Sequence, residues 1–248
     1  MHMVLFTAAI SGFAAVASVI YDWTMLPAEG FERNLGWRML FAASLGFGVA
    51  VVVSQKMLQE FRLKASLEYA LTYDALTGTY SRRAIFERLE RMKDRGGILV
   101  IADIDHFKSI NDTWGHAAGD DVLRHFGTSA REYLASGDGG DAAAIGRIGG
   151  EEFVIHLDGI GLGGMADWID GLRAAIRAGP VIDGAGEDGV QVTASYGVTV
   201  LDGRPLDLAL SEADTALYQA KQTGRDRACV AQHLALPPGA AMAVPAHG

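Results

Sequence analysis

Apolar and polar positions follow two different rhythms along this chain, and the change of rhythm divides it. Residues 3–21 carry no charged side chain over 19 positions, and residues 39–55 carry none over 17. A helix needs ~20 apolar residues to cross a bilayer, so the pattern predicts two transmembrane helices within 1–55. A short loop, 22–38, would join them, with Trp37, Arg38 and Lys56 at the interface. Residues 57–73 contain no Gly or Pro and predict one continuous helix. Within it Leu63, Leu67 and Ala70 recur at spacings of four and three, the seam of a short parallel coiled coil. From Asp74 the pattern becomes that of an α/β domain reaching to residue 231. Ile85, Leu89 and Met92 share one face of a helix over 81–93. Residues 97–104 are almost continuously apolar, which predicts a central strand covered on both faces. Helices are predicted over 120–134, 165–178 and 206–222, and strands over 190–201 and 227–231. Between the first two of those helices, apolar runs flank Gly149-Gly150 in the stretch from Ile145 to Leu157, predicting two short strands and a hairpin turn. Residues 232–248 are rich in Ala, Pro and Gly and predict a disordered tail.

Composition adjusts this picture in three places. Net charge is −9, so the chain lacks the basic footprint of a nucleic-acid binder. The single cysteine, Cys229, excludes an internal disulfide framework and fits a reducing compartment. Lys56, Arg62 and Lys64 follow the second apolar run, against Arg33 and Arg38 before it, a mild bias that leaves the α/β domain on the cytoplasmic side.

Candidate chemistry gathers at two motifs. Asp103, at the end of the buried strand, stands where open α/β sheets place ligand-binding groups. Glu151 and Glu152 follow the glycine pair, whose missing Cβ atoms let a backbone approach a ligand. Asp103 facing Glu151 across neighbouring strands would make an oxygen-lined pocket for a hard divalent cation. If 151 and 152 are both extended they point to opposite faces, so Glu151 is expected as the direct ligand. Glu152 would be a second ligand or the partner of a lysine. Backbone N–H groups around His106 and Phe107, with the cation of Lys108, suit a triphosphate. Asn111 and Asp120 together could read guanine, the carboxylate accepting from the ring N–H and the amino group. Asp120 is equally a candidate N-cap for the helix it would start.

The motifs, in order, are Asp74-Ala-Leu-Thr-Gly78 with Arg82, Asp103-Ile-Asp-His-Phe-Lys108, Asn111-Asp112, Gly115-His116 and Gly119-Asp120. After them come Gly149-Gly-Glu-Glu-Phe153, Ser195-Tyr-Gly-Val198, Ala213-Asp214, Ala216-Leu-Tyr-Gln-Ala-Lys221, Gly224 and Arg225. Over roughly 74–230 this set resembles the GGDEF domain of diguanylate cyclases, in its GGEEF variant. Ala75 and Ser81 depart from the usual Pro and Asn at the domain entrance. The resemblance implies a palm-type α+β sandwich, a central, mostly antiparallel sheet flanked by helices. It implies two Mg²⁺ per site, or Mn²⁺ in their place, held by Asp103, the Ile104 carbonyl and Glu151. Guanine would lie on Asn111 and Asp120, and phosphates on Lys108, Lys221 and Arg225. The implied reaction condenses two GTP into cyclic di-GMP with release of pyrophosphate, at a homodimer interface, in a protein anchored in the inner membrane of a bacterium. Rival readings are a non-catalytic GTP-binding receptor module and a membrane-anchored interaction scaffold. Many family members carry an inhibitory Arg-x-x-Asp nine and six positions before the first glycine. Gly140 and Ala143 stand there, so no inhibitory product site is expected.

Overall fold

A computed structural model describes residues 16, 20, 21, 24, 25, 28–138, 143–178 and 191–234. The chain divides into two compact units, Met1–Glu68 and Tyr69–Gly248. The first contains most of α1, a 45-residue helix over Ala28–Thr72. Residues 28–38, expected as a loop between two spans, belong to this helix. Among the described residues no helix is long and apolar enough to cross a membrane. The first expected span, 3–21, falls almost wholly outside the described residues. The second lies within α1, but its uncharged stretch is short of a full crossing and diluted by Ser44, Gly46, Gly48 and Ser54. The expected pair of transmembrane helices is therefore not a feature of the described fold.

The second unit is built on a five-stranded sheet. Its strands are β1 (Gly97–Ile104), β2 (Ala144–Arg147), β3 (Glu152–Leu157), β4 (Ala194–Leu201) and β5 (Ala228–Val230), in the order β2-β3-β1-β4-β5. All neighbours are antiparallel except β4 and β5. The helices are α2 (Arg82–Met92), α3 (Phe107–Trp114), α4 (His116–Tyr133), α5 (Leu162–Arg177) and α6 (Leu206–Gln222).

The continuous apolar run of β1 is explained by helices on both faces. Ile98, Val100, Ala102 and Ile104 join one cluster with Val122 and Phe126 of α4 and Ile169 and Leu172 of α5. Leu99 and Ile101 join the opposite cluster with Ile85 and Leu89 of α2 and Ala213 and Leu217 of α6. Burying such side chains contributes about 1.5–3 kcal/mol each, which makes β1 the axis of the domain. Ser81 caps α2 by accepting from the Ala84 N–H, as a Ser before an apolar-periodic run predicts. Gly197 of β4 lies so close to α6 that a Cβ there would collide with the Ala213 carbonyl and the Leu217 N–H. The turn entering the domain lies along the outer side of β2. Tyr80 pairs with Gly146, its N–H donating to Ile145 O and its carbonyl accepting from the Arg147 N–H, both at 2.9 Å.

Candidate active site

The end of β1 places Asp103 at the mouth of the sheet, 6% exposed. Lys221, in the last turn of α6, donates to its Oδ1 at 2.8 Å. Burial pushes the Asp103 carboxyl above the usual range. The Lys221 hydrogen bond and charge pull it back, the Asp105 charge raises it, and the Arg225 charge lowers it. Glu151 is also raised, first by burial and then by the negative charge of Asp103, with Glu152 adding to it and Lys221 opposing. Asp103, Glu151, Lys221 and Arg225 thus share one electrostatic environment.

The two glutamates are not related as simple alternation predicts. Glu152 is the first residue of β3 and stands directly opposite Asp103 in the register. Glu151 precedes the strand, and its carbonyl accepts from the Ile104 N–H at 3.3 Å. A side chain on Gly149 would run into the Glu152 carboxylate, whereas one on Gly150 would meet open space. Gly150 therefore leaves the turn open on its own side.

Arg147 shapes that turn. Its Nε donates to Gly149 O at 3.1 Å, its Nη2 to Gly150 O at 2.6 Å, and its Nη1 reaches Asp74 Oδ1 at 3.4 Å. Asp74 also accepts from the Thr77 N–H and hydroxyl. The entry turn and the glycine turn are thus joined through one guanidinium.

After β1 the chain turns through His106, whose φ of 57° is left-handed, and enters α3 without a side-chain cap. The leading N–H groups of α3 have no partner one turn back, and Lys108 projects from this first turn, exposed. Phe107 and Asn111 are half-buried. Helix α4 begins at His116, four residues before the predicted start, so Asp120 is not an N-cap but sits in its second turn. The Asn111 amide packs on Gly119, the residue before Asp120, where any side chain would displace it.

Sequence reasoning passed over Asp105, which is 5% exposed. Its carboxylate accepts from Ser195 Oγ at 2.7 Å, Thr193 Oγ1 at 2.9 Å and the Asp226 N–H at 3.0 Å. It lies just past the end of β1, where alternation no longer says which way a side chain points.

Among the described residues, no three His, Cys, Asp or Glu side chains gather as a metal cluster. Two carboxyls, both raised by burial and one of them also by the charge of the other, beside backbone carbonyls still fit one class of ion. Mg²⁺ takes one or two carboxylates and keeps water and substrate oxygens for its other positions. Of the expected inhibitory positions, Ala143 packs on the core and Gly140 lies outside the described residues. A cleft of about 470 Å³ opens nearby, lined by Tyr73, Tyr80, Arg131, Glu132 and Ala143.

Known proteins resemble this chain in sequence and in fold. Residues 71–227 match the family described as diguanylate cyclase, GGDEF domain. The chain is 43% identical over 176 residues to diguanylate cyclase DgcP of Pseudomonas aeruginosa, a match covering 68% of this chain and 25% of that protein. It is 36% identical over 163 residues to diguanylate cyclase DgcZ of Escherichia coli, covering 62% and 51%. The chain thus spans a quarter to a half of the curated relatives it matches. Among solved structures, the coiled coil and GGDEF domain of DgcB from Caulobacter crescentus, in complex with c-di-GMP, is similar at a TM-score of 0.63 and 26% identity. That likeness covers 74% of this chain and all but 1% of the other, 99% being matched. Diguanylate cyclase SiaD of Pseudomonas aeruginosa, in complex with its activator SiaC, is similar at 0.60 and 29% identity, covering 92% and 88%. With its family model matched over residues 71–227, across β1 to β4 and the glycine turn beside Asp103, this chain belongs to the GGDEF-domain family of diguanylate cyclases.

Proposed function

We propose that the protein is a diguanylate cyclase that joins two GTP molecules into cyclic di-GMP and releases two pyrophosphates. The observation that carries this reading is the buried Asp103 carboxylate. It is held by Lys221 at 2.8 Å within the electrostatic reach of Glu151 and Arg225, at the edge of a glycine turn with open space. Asp103, the Ile104 carbonyl and Glu151 would hold two Mg²⁺ ions. Bound there, the metal would lower the pKa of the ribose 3′-hydroxyl and neutralise charge on the phosphates. Lys108, Lys221 and Arg225 add fixed positive charge for the α-phosphate and the leaving pyrophosphate. Glu151, its carboxyl raised by burial and by Asp103, is suited to accept the 3′-hydroxyl proton as well as to ligate. Asn111 and Asp120 would hold guanine.

Each domain carries one such site, so phosphodiester formation between two GTP needs two chains face to face. Leu63 and Leu67 of α1 are 69% and 57% exposed and Ala70 is exposed as well, an apolar stripe for a parallel partner helix. Further up α1, Met39, Leu40, Phe47 and Val52 are also exposed. We place this segment against a bacterial inner membrane, with the cyclase in the cytoplasm; recovery of the full chain only in the soluble fraction would refute that placement. Incubating purified protein with GTP and Mg²⁺ should yield cyclic di-GMP and two equivalents of pyrophosphate. GTP binding without product would instead support a receptor module, and the absence of both a scaffold.

A further inference from the structure

Three consecutive residues after α6 have positive φ: Gly224 at 128°, Arg225 at 61° and Asp226 at 45°. Only the first is a glycine, so Arg225 and Asp226 hold a backbone conformation that side-chain-bearing residues rarely adopt. Something must over-determine it. The Arg225 N–H donates to Ala220 O at 3.0 Å, closing the end of α6. Asp226 is gripped from two directions. From α5, Arg173 Nε donates to its carboxylate at 3.2 Å, Arg173 Nη2 reaches its carbonyl, and Arg177 pairs with its other carboxylate oxygen. From the sheet, the buried Asp105 carboxylate accepts its N–H. Asp105 is fixed in turn by Ser195 and Thr193, and its own N–H donates to Thr193 O at 2.9 Å.

We propose that Asp105 is a positioning residue that aims Arg225 into the site by holding the Asp226 backbone. The inference rests on the site being a nucleotide site, as proposed above. Arg225 contributes its charge at Asp103, and the N–H that Asp105 holds belongs to the residue directly after it. An arginine on a relaxed loop would lose this aim to rotation of a single dihedral pair. The chemistry also states which substitution is tolerated. Asn at 105 can put its oxygen where Oδ2 accepts from Thr193 and Asp226, while its amino group donates to the Ser195 hydroxyl, which can also accept. Ala can do none of this.

The test uses the full chain as wild type, Asp105→Ala, Asp105→Asn, Arg225→Ala and the Asp105→Ala/Arg225→Ala double variant. Amide exchange at Asp226, affinity for a non-hydrolysable GTP analogue, and turnover are measured for each. Asp105→Ala should expose the Asp226 amide while the β4 amides stay protected. It should weaken analogue binding about 10-fold, the scale of one lost charge-assisted hydrogen bond, as Arg225→Ala does. The double variant should be no worse than Arg225→Ala alone, because the two residues act as a unit. Asp105→Asn should restore most of both readouts. Multiplying effects in the double variant, or unchanged analogue affinity in Asp105→Ala, would overturn the proposal. If Asp105→Ala fails to fold, the Asp105→Asn protein decides: an Asp226 amide as exposed as in an unstructured loop refutes the hold. Should the wild type make no cyclic di-GMP, the functional reading falls, while exchange at Asp226 still reports whether Asp105 holds this backbone.

Discussion

Replacing Asp103 by Asn separates what the residue does for the fold from what it does for chemistry. In the folded protein the Asp103 carboxyl is raised above its ordinary value, mainly by burial. Its ionised form is therefore disfavoured by folding: stability of the metal-free protein should rise as pH falls through that raised value, and it is lowest where the group is fully charged. Asn has the same shape and no charge, so Asp103→Asn should melt at or above the wild-type temperature at neutral pH without added metal. Lys221, about one third exposed, loses its partner but keeps its water. Turnover should move the other way, because losing a metal-ligating carboxylate withdraws roughly 3–5 kcal/mol at the transition state, about 10²–10⁴ in rate. The cleanest assay is a Mg²⁺ thermal shift. At 100 times the dissociation constant a bound ion stabilises by about 2.7 kcal/mol, which for a domain of this size is roughly 5–11 °C. Wild type should show that shift and Asp103→Asn should not. A variant that keeps both the shift and near-normal turnover refutes the assignment of Asp103 as a metal ligand.

GTP should be used in preference to ATP by ~10⁴ in favourable conditions, since adenine turns an acceptor toward the Asp120 carboxylate; comparable rates with ATP would sink the guanine assignment. A fragment beginning at Tyr69 should show specific activity that climbs with protein concentration, and fusion to a dimeric coiled coil should raise it through effective concentration. Concentration-independent activity in both would exclude an obligatory dimer. Added cyclic di-GMP should inhibit only in competition with GTP, because Gly140 and Ala143 offer no side chain to grip a phosphate; non-competitive inhibition at micromolar product would show otherwise. Gly197→Ala should destabilise the domain by about 1–3 kcal/mol or more, read as a lowered denaturation midpoint, because its Cβ meets backbone that cannot rotate away.

The elements legible in the sequence were those with long, unmixed periods. The 97–104 strand and the 206–222 helix coincide with β1 and α6, because each buries enough side chains for the pattern to repeat. Helix α3 was invisible: it has eight residues and one buried side chain, Ile110, too little for a period. Asp103 and the glycine turn were readable as a pair, but the relation between the glutamates was not. Alternation holds only inside a strand, and β3 starts between them. Asp120 looked like a cap because the true opening of α4, Gly115-His116, carries no capping side chain. The roles of Asp105 and Arg147 depend on partners more than 70 residues away, which no local pattern encodes.

The Tyr80 pairing along β2 has a practical consequence for how this domain associates. A strand at the rim of a sheet exposes a row of N–H and C=O groups that can template onto another chain. Here the opposite rim, β5, is only three residues long. The β2 rim is occupied by Tyr80, which takes up Ile145 O and the Arg147 N–H. Cutting the chain after residue 80, or pulling the entry turn away, would bare that row beside Ile145 and leave the molecule prone to polymerise edge to edge. The segment that leads into the catalytic domain thus doubles as its stopper against fibre growth.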